Sequence, residues 1–320
     1  MYSKPSWCAA LLLGLGISAG YTVVQAAELG AKEEPIKLAM NEWTGQHITT
    51  HIAGQLLGKL GYKVEYVPAG YLAQHTALTQ GTLHASLEIW SDRVSDVYFQ
   101  GLEQGKLTRL GELGMEARQG WLYPKYMEEI CPGLPKWEAL KDCKDALVTA
   151  ETFPNGRIVA YPAEWGEQSA AKIKGLGLEY TAVPAGSEGA LVAELRGAKE
   201  QKRPLIMEFW KPHAVFAEMD LEWVDLPLYT EECAKDPAWG MNPNEVHDCG
   251  FQQTTIEKVA WSGMKDKWPA AFELLQEFKL GADEQSQMIY QVDEKGVPVE
   301  QVAQEWVEKN QSVWSGWINR

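Results

Sequence analysis

The chain has 320 residues, of which 45% are hydrophobic and 23% charged. These proportions are typical of a folded globular protein, and the length suggests about two domains. The formal net charge of −15 disfavours nucleic acid and anionic membranes as partners. No P-loop, GxGxxG or GxSxG motif is present, which argues against nucleotide, dinucleotide and hydrolase chemistry.

Residues 1–26 have the pattern of a secretory signal peptide. Lys4 precedes an apolar run rich in Gly, Ala and Ser, and the small residues around VQA supply a cleavage point after Ala26. The run is too short and too rich in small residues for a membrane anchor. The sequence therefore predicts export to the periplasm without direct membrane insertion.

Four cysteines follow the leader: Cys131, Cys143, Cys233 and Cys249. An even number in an exported chain favours disulfides, and four cysteines allow three connectivities. Proximity in sequence favours Cys131–Cys143 and Cys233–Cys249, each closing a short loop. The spacings match no zinc pattern, so we expect structural disulfides.

Strands and helices alternate along the mature chain, which indicates an α/β fold with largely parallel sheets. The predicted strands are 36–40, 63–67, 83–89, a strand from about 156 to Tyr161, 179–183 and 205–209. The predicted helices are about 46–60, 71–80, 93–104, 167–175, 188–202, 264–278, 282–292 and 298–317. This order predicts two α/β units, each with its own sheet.

Two extended segments, 110–124 and 222–229, look like crossings between the units. They predict a discontinuous first lobe, 27–119 with 220–320, and a second lobe, 120–219. Ligand binding would then be coupled to a hinge at 118–124 and 215–225.

Four β-rich runs end in a tryptophan with a glutamate close by. The pairs are Glu42–Trp43, Glu88 near Trp90, Glu164–Trp165 and Glu208 near Trp210. Tryptophans are most often core residues, but ligands bind where the strands of open parallel sheets end. The recurrence therefore predicts an aromatic cage at the ends of these strands.

The motifs NEW (41–43), GTLHASLEIW (81–90), LPKWEALK (134–141) and FWKPH (209–213) occur here in an exported acidic α/β chain. Together they resemble the periplasmic substrate-binding proteins of glycine betaine/choline-type ABC importers. The resemblance covers the whole mature chain. It implies a type II periplasmic-binding-protein fold, in which two α/β lobes with a two-strand hinge close on a small ligand delivered to a membrane permease.

The resemblance also implies an aromatic box of Trp43 and Trp90 on the first lobe and Trp210 on the second. Choline binders of the family have an Asn-type contact where this chain has AYPAEWGEQ (160–168), which offers Trp165 instead. Four tryptophans with nearby glutamates, together with CPGLP (131–135), are similar to the branch that binds trimethylamine N-oxide. Tyr123 matches a position that is often aromatic in the family, and Trp121 is an equal candidate.

The rest of the ligand requires hydrogen-bond donors. Backbone N–H groups at Gly186–Ser187, which open a predicted helix, are suited to an anionic group, and His213 is another candidate. Ser187 is also the expected N-cap, a role that uses its hydroxyl. Glu42 would reinforce binding of the positive head group.

Two patterns contain the residue types of metal sites. His47 and His51 lie at i and i+4, but no third ligand is evident, which favours an exposed helix face. The loop 231–250 has enough oxygen ligands for a structural Ca²⁺, although it lacks the order of an EF-hand. Its candidates are Glu231, Glu232, Asp236, Asn242, Asn244, Glu245 and Asp248. No other cofactor is expected.

The alternative is an exported carbohydrate-active enzyme or a sugar-binding protein. Tryptophans stack on sugars, and Glu88 with Glu164 would be the acid–base pair. A sugar or amino-acid receptor would instead have Arg, Asn and Asp at its strand ends. We therefore expect a non-catalytic, monomeric receptor for a small methylated amine: trimethylamine N-oxide, glycine betaine or choline.

Overall fold

A computed structural model describes residues 1–2 and 28–318, so nearly all of the predicted signal peptide lies outside the described residues. The strands are β1 (Ile36–Met40), β2 (Val64–Pro68), β3 (Ala85–Trp90), β4 (Leu107–Glu112), β5 (Arg118–Pro124), β6 (Pro132–Pro135), β7 (Gly156–Ala160), β8 (Tyr180–Pro184), β9 (Met207–Lys211), β10 (Leu221–Trp223) and β11 (Ile256–Trp261). All of them except β6 form two five-stranded sheets, one for each predicted lobe.

The helices also follow the predicted order. They are α1 (Thr44–Lys59), α2 (Ala73–Thr79), α3 (Asp96–Glu103), α4 (Met127–Ile130), α5 (Ala139–Cys143), α6 (Gln168–Gly175), α7 (Glu188–Gln201), α8 (Val215–Glu218), α9 (Glu231–Lys235), α10 (Met264–Lys267), α11 (Pro269–Glu277), α12 (Ala282–Asp293), α13 (Val299–Lys309) and α14 (Gln311–Ile318), with short 3₁₀ turns at Lys144–Leu147 and Ala163–Trp165. The predicted helix 264–278 is divided because Pro269 begins a new helix after Trp268, whose backbone is not helical.

Each sheet has four strands in one direction and one reversed strand. The first sheet has the order β2-β1-β3-β11-β4, in which β11 runs antiparallel to both neighbours. The second has the order β10-β5-β9-β7-β8, in which β5 runs antiparallel to both neighbours. Each reversed strand is the first one after the chain passes from one lobe to the other. Within these two sheets, antiparallel pairing therefore occurs only where β5 or β11, the strands that follow the two crossings, meets its neighbours.

The first crossing, 113–117, lies within the predicted segment 110–124, whereas the second, 252–255, lies beyond the predicted segment 222–229. β5 and β10 pair with each other inside the second sheet, so the predicted hinge segments 118–124 and 215–225 belong to that lobe. The chain passes between the sheets at 113–117 and at 252–255. The segment between β10 and the second crossing packs on the second lobe: Lys172 Nζ donates to the Gly250 carbonyl at 2.7 Å, and Asn242 Nδ2 to that of Gly175 at 3.0 Å. The second sheet thus extends beyond the predicted return at residue 220.

Both cysteine pairs favoured by proximity are bonded. Cys131–Cys143 joins the ends of a short segment with a Cα–Cα distance of 5.4 Å, and Cys233–Cys249 closes the loop after β10 with a distance of 6.3 Å. All four cysteines are buried. The bonds therefore fix two irregular segments against the second lobe.

The apolar core is continuous from one lobe to the other. Its largest cluster includes Leu38 and Leu87 of the first sheet and Val159 and Phe209 of the second, and the four strand-end tryptophans lie within it. In residues 1–2 and 28–318, no helix combines the length and the apolar character required to cross a bilayer.

Candidate ligand-binding site

Four tryptophans from the two lobes line one small cavity between the sheets. Trp43 and Trp90 come from the first lobe, and Trp165 and Trp210 from the second. The cavity has a volume of about 30 Å³. Tyr71, Arg93, Gln119 and Tyr161 complete the lining. The four residues that the sequence singled out thus meet in one place.

Strand geometry explains this convergence. Trp90 is the last residue of β3, Trp43 follows β1 as the extended residue before α1, and Trp210 lies near the end of β9. Trp165 closes the 3₁₀ turn after β7 and is followed by Gly166, whose φ of 100° suits glycine. The carboxyl ends of these parallel strands point towards the interlobe cleft, as in other open α/β sheets.

The cavity walls are aromatic rings at steep angles to one another. Trp165 contacts Trp43 edge to face, with centroids 5.4 Å apart and planes at 69°, and contacts Trp210 at 5.7 Å and 78°. Tyr71 packs on Trp43 at 64°, and Tyr161 packs on Trp210 at 77°. Rings at such angles form the sides of a box, which suits a compact group that contacts several π faces at once.

Two of the tryptophans bond to glutamates, but not to the glutamates that lie next to them in sequence. The Trp43 indole N–H donates to Glu88 Oε2 at 3.0 Å, and that of Trp165 donates to Glu42 Oε2 at 3.2 Å. Each glutamate therefore serves a tryptophan other than its neighbour in sequence. A negative charge at the indole N–H polarises the ring and strengthens its attraction for a cation.

Glu88 is buried and accepts two further hydrogen bonds, from Thr49 Oγ1 at 2.6 Å and from Gln285 Nε2 at 2.5 Å. Burial raises the pKa of Glu88 to about 7, and this effect outweighs the three hydrogen bonds that favour the ionised form. Its charge therefore changes near neutral pH.

Arg93 crosses from the loop after β3 into the second lobe. It forms a buried ion pair with Glu208, donates from Nε to Gln119 Oε1 at 2.6 Å, and donates from Nη1 to the Trp165 carbonyl at 3.2 Å. Its guanidinium also lies 4.4 Å from the centre of the Tyr161 ring. The sequence analysis did not predict Arg93 as a site residue, although it follows Trp90 by three residues. It joins the two halves of the cage.

His213 and Ser187, the predicted donors, do not line the cavity. His213 packs edge-on against Trp210 with centroids 5.2 Å apart, and its Nε2 lies 3.2 Å from Glu188 Oε1. Ser187 Oγ accepts from the Ala190 N–H at 3.1 Å and so caps α7. The capping role that competed with ligand contact is the one observed.

Tyr123 and Trp121 are also placed away from the cavity. Both are fully buried in a separate cluster of the second lobe that includes the Cys131–Cys143 disulfide. Trp121 Nε1 donates to Ser169 Oγ at 2.8 Å, and the Tyr123 hydroxyl donates to Glu128 at 3.4 Å. Strand alternation directs both side chains into this core, which corrects the expectation that one of them faces the ligand.

The two histidines of the first predicted metal pattern contact other protein groups. His47 Nε2 contacts the Asn41 carbonyl, while His51 packs on Tyr66 with ring centroids 4.3 Å apart, so the two imidazoles serve different neighbours. His51 is buried, in contrast to the expected exposed face.

The acids of the loop 231–250 are likewise engaged within the protein. Asp248 Oδ2 accepts from the Asn242 N–H at 2.9 Å, Asp236 caps a turn at Ala238, and Glu245 pairs with Lys174. Within the described part of the chain, the group of three potential ligands lying within 4.8 Å of one another is Glu188, His213 and Asp293, at the lobe interface.

Comparison with known proteins identifies the family. Residues 34–309 match the model of the substrate-binding domain of ABC-type glycine betaine transport systems. This chain belongs to that family. It is therefore a substrate-binding protein of the ABC-type glycine betaine transport family and not an enzyme. The carbohydrate-active alternative is not favoured, and of its predicted acid–base pair Glu88 is buried whereas Glu164 is exposed.

Similar sequences and solved structures support this assignment. The chain is 27% identical over 292 residues to the trimethylamine N-oxide-binding protein of Pelagibacter ubique (strain HTCC1062), covering 88% of this chain and 90% of that protein. The fold matches lactococcal OpuAC in its closed form with glycine betaine (TM-score 0.68, 17% identity, 89% of this chain and 100% of that one). It also matches an ABC-transporter choline-binding protein in complex with choline (TM-score 0.71, 17% identity, 88% and 91%). The predicted periplasmic-binding-protein fold is confirmed.

Proposed function

We propose that this protein captures a trimethylammonium-type solute in the cage of Trp43, Trp90, Trp165 and Trp210, with trimethylamine N-oxide as the preferred ligand. The observation that carries the proposal is the meeting of four indoles from both lobes around one cavity. A quaternary ammonium head cannot donate a conventional hydrogen bond, so aromatic faces are the groups that recognise it best.

The ring faces of the cage are free of protein cations. Within residues 1–2 and 28–318, none of the four tryptophans has a lysine or arginine over its ring, whereas Arg93 covers the neighbouring Tyr161. Each desolvated cation–π contact contributes about 1–2 kcal/mol. Four contacts contribute up to about 8 kcal/mol before ordering costs, which corresponds to micromolar binding.

Cavity size favours the smallest ligand of the series. A buried water requires about 10–15 Å³, so a cavity of about 30 Å³ is narrow for all three ligands and favours the one with the fewest atoms. Trimethylamine N-oxide is little more than the trimethylammonium head itself. Choline and glycine betaine carry a tail for which the lobes would have to stand further apart. The similarity to the Pelagibacter trimethylamine N-oxide-binding protein points the same way.

The remaining aspects of the proposal follow from this role. The chain is exported by its leader to the periplasm, acts as a monomer, and delivers its ligand to the membrane permease of an ABC importer. Neither nucleic acid nor a catalytic cofactor takes part.

Isothermal titration calorimetry of the mature protein tests the proposal. We expect binding of trimethylamine N-oxide, weaker binding of choline and glycine betaine, and no heat with glucose or glutamate. Trp90→Ala should weaken binding about tenfold or more, because it removes one desolvated contact. Trp239→Ala, a half-buried tryptophan of the disulfide loop, is the control and should bind as wild type. Absence of binding to all three amines would refute the proposal.

A further inference from the structure

A single carboxylate of the second lobe contacts the start of the first lobe's cage helix. Helix α1 begins directly after Trp43, and neither a side-chain cap nor an acidic residue stabilises its first turn locally. The Thr44 N–H donates instead to Glu188 Oε2 at 2.8 Å, across 144 residues of sequence. Glu188 itself opens α7 in the second lobe and is buried.

The position suits an anion. Glu188 lies at the N-termini of two helices at once, and both helix dipoles favour negative charge there. An amide donor to a carboxylate is also among the stronger protein hydrogen bonds. Opening the lobes separates Glu188 from the Thr44 N–H and returns that first-turn donor to solvent. The contact therefore belongs to the closed conformation.

The other oxygen of Glu188 leads to the opposite wall of the cage. The Val215 N–H donates to His213 Nδ1 at 3.3 Å, which leaves the proton on Nε2, and Nε2–H donates to Glu188 Oε1 at 3.2 Å. The same imidazole packs edge-on against Trp210. One carboxylate thus joins the support of Trp210 to the residue that follows Trp43.

Further contacts lie close to Glu188 at the interface between the lobes. Thr44 Oγ1 donates to Asp293 Oδ1 at 2.8 Å at the end of α12, and Arg196, two turns along α7, pairs with Glu294 of the first lobe. Helix α7 is therefore held against the first lobe at two points. Glu188 is the point that contacts the chain beside the cage.

We propose that Glu188 is a positioning residue for ligand binding, which caps α1 across the lobe interface on closure and so fixes Trp43 opposite Trp210. The inference rests on the proposed function only in using trimethylamine N-oxide as the probe. It assigns to Glu188 no contact with the ligand.

Stopped-flow tryptophan fluorescence with trimethylamine N-oxide tests the proposal. Glu188→Ala should raise the dissociation rate about tenfold, because loss of a charge-assisted cap destabilises the closed state. The association rate and the melting temperature without ligand should stay close to those of Glu194→Ala. Glu194 is the matched control, because it lies on the same helix and pairs with Arg157 and Arg203 inside the second lobe.

A comparison of two substitutions at Thr44 isolates the contribution of its N–H. Proline is tolerated at the first position of a helix, and Trp43 already has the extended backbone required before proline. Thr44→Pro removes the N–H and the hydroxyl, whereas Thr44→Val removes only the hydroxyl. We expect Thr44→Pro to match the effect of Glu188→Ala and to exceed that of Thr44→Val, with little further loss in the Glu188→Ala/Thr44→Pro double variant.

Two results would overturn the inference while leaving the proposed function intact: wild-type dissociation kinetics in Glu188→Ala, or fully additive losses in the double variant. Small-angle scattering supplies a readout that does not depend on ligand identity. Glu188→Ala and Thr44→Pro should give a larger radius of gyration than wild type and Glu194→Ala. If both variants have the same radius as wild type, without and with trimethylamine N-oxide, the inference is also overturned.

Discussion

Two clefts between the lobes use the same kinds of residue in opposite ways. The cage is small, and within residues 1–2 and 28–318 no lysine or arginine lies over the rings of its four tryptophans. The second cleft, beside the crossings, has a volume of about 850 Å³ and is open to charged side chains. There Arg118 lies 4.6 Å from the ring centre of Trp223, and Lys211 lies 4.2 Å from that of Phe216. Aromatic residues alone are therefore not expected to bind a cation; their ring faces must also be free of protein cations.

The difference extends to the charges. In the cage, the carboxylates lie behind the indoles and bond to their N–H groups, and Arg93 is held by Glu208 and Gln119. The charges are thus fixed and directed at the rings. In the open cleft, Asp225 and Asp283 line the surface directly, where water screens them. The comparison makes three predictions.

The largest expected effect is at Arg93. Arg93→Met leaves Glu208 buried without its ion pair whenever the lobes close, at a cost of about 3–5 kcal/mol. We therefore expect the affinity for trimethylamine N-oxide, measured by calorimetry, to fall at least about a hundredfold. Arg109→Met is the control, because its pair with Glu257 is half exposed and should contribute less than about 1 kcal/mol. Equal, small effects in both variants would show that the Arg93 pair does not hold the cage together.

The second prediction concerns the charge of Glu88. Its pKa in the folded protein is about 7, against 4.5 for the free side chain, so the folded state holds the proton more tightly than the unfolded chain. The stability from this group is fully present below pH 4.5 and is lost as the pH rises through about 7, with a total on the order of 3 kcal/mol.

Urea unfolding of wild type and Glu88→Gln at several pH values between 4 and 8 measures this contribution. The variant should lack the decline, so that the difference between the two free energies of unfolding changes with pH. Other titrating groups are common to both proteins and cancel in the difference. Parallel curves would mean that Glu88 does not change its charge in this range.

The sequence predicted the cage because the position of each tryptophan depends on its own strand. A tryptophan at the end of a β-rich run is placed by its own strand, and the carboxyl ends of parallel strands meet at one edge of a sheet. The partners of those tryptophans could not be predicted in the same way. Trp43 bonds to Glu88 across 45 residues, which depends on the pairing of β1 with β3, and Trp165 bonds to Glu42 across 123, which depends on how the two lobes meet.

The hinge illustrates the same limit. The extended segments 110–124 and 222–229 predict crossings and a hinge at 118–124 and 215–225, but β5 and β10 pair with each other within the second lobe. Extended sequence does not reveal its pairing partner. Likewise the loop 231–250, rich in oxygen ligands, gave no sign that its acids would bond to nearby amides and to Lys174.

The third prediction, with the smallest expected effect, compares the two clefts directly. Trp210 and Trp223 both lie in the second sheet and are both nearly buried, at 5% and 6% exposed. They differ in what covers them: Trp223 already carries Arg118, whereas Trp210 faces the cage. Trp210→Ala should therefore weaken binding of trimethylamine N-oxide about tenfold, and Trp223→Ala should leave the affinity unchanged although it removes a similar apolar area.

Folding stability controls for the size of the substitution. Both variants should lose about 3–5 kcal/mol of unfolding free energy, since each removes a buried indole. A ligand effect confined to Trp210 would then reflect the free ring face and not general loosening of the lobe. If Trp223→Ala weakened binding as much as Trp210→Ala, the unoccupied face would not be what separates the two clefts. The shared packing of the second lobe would then explain both effects.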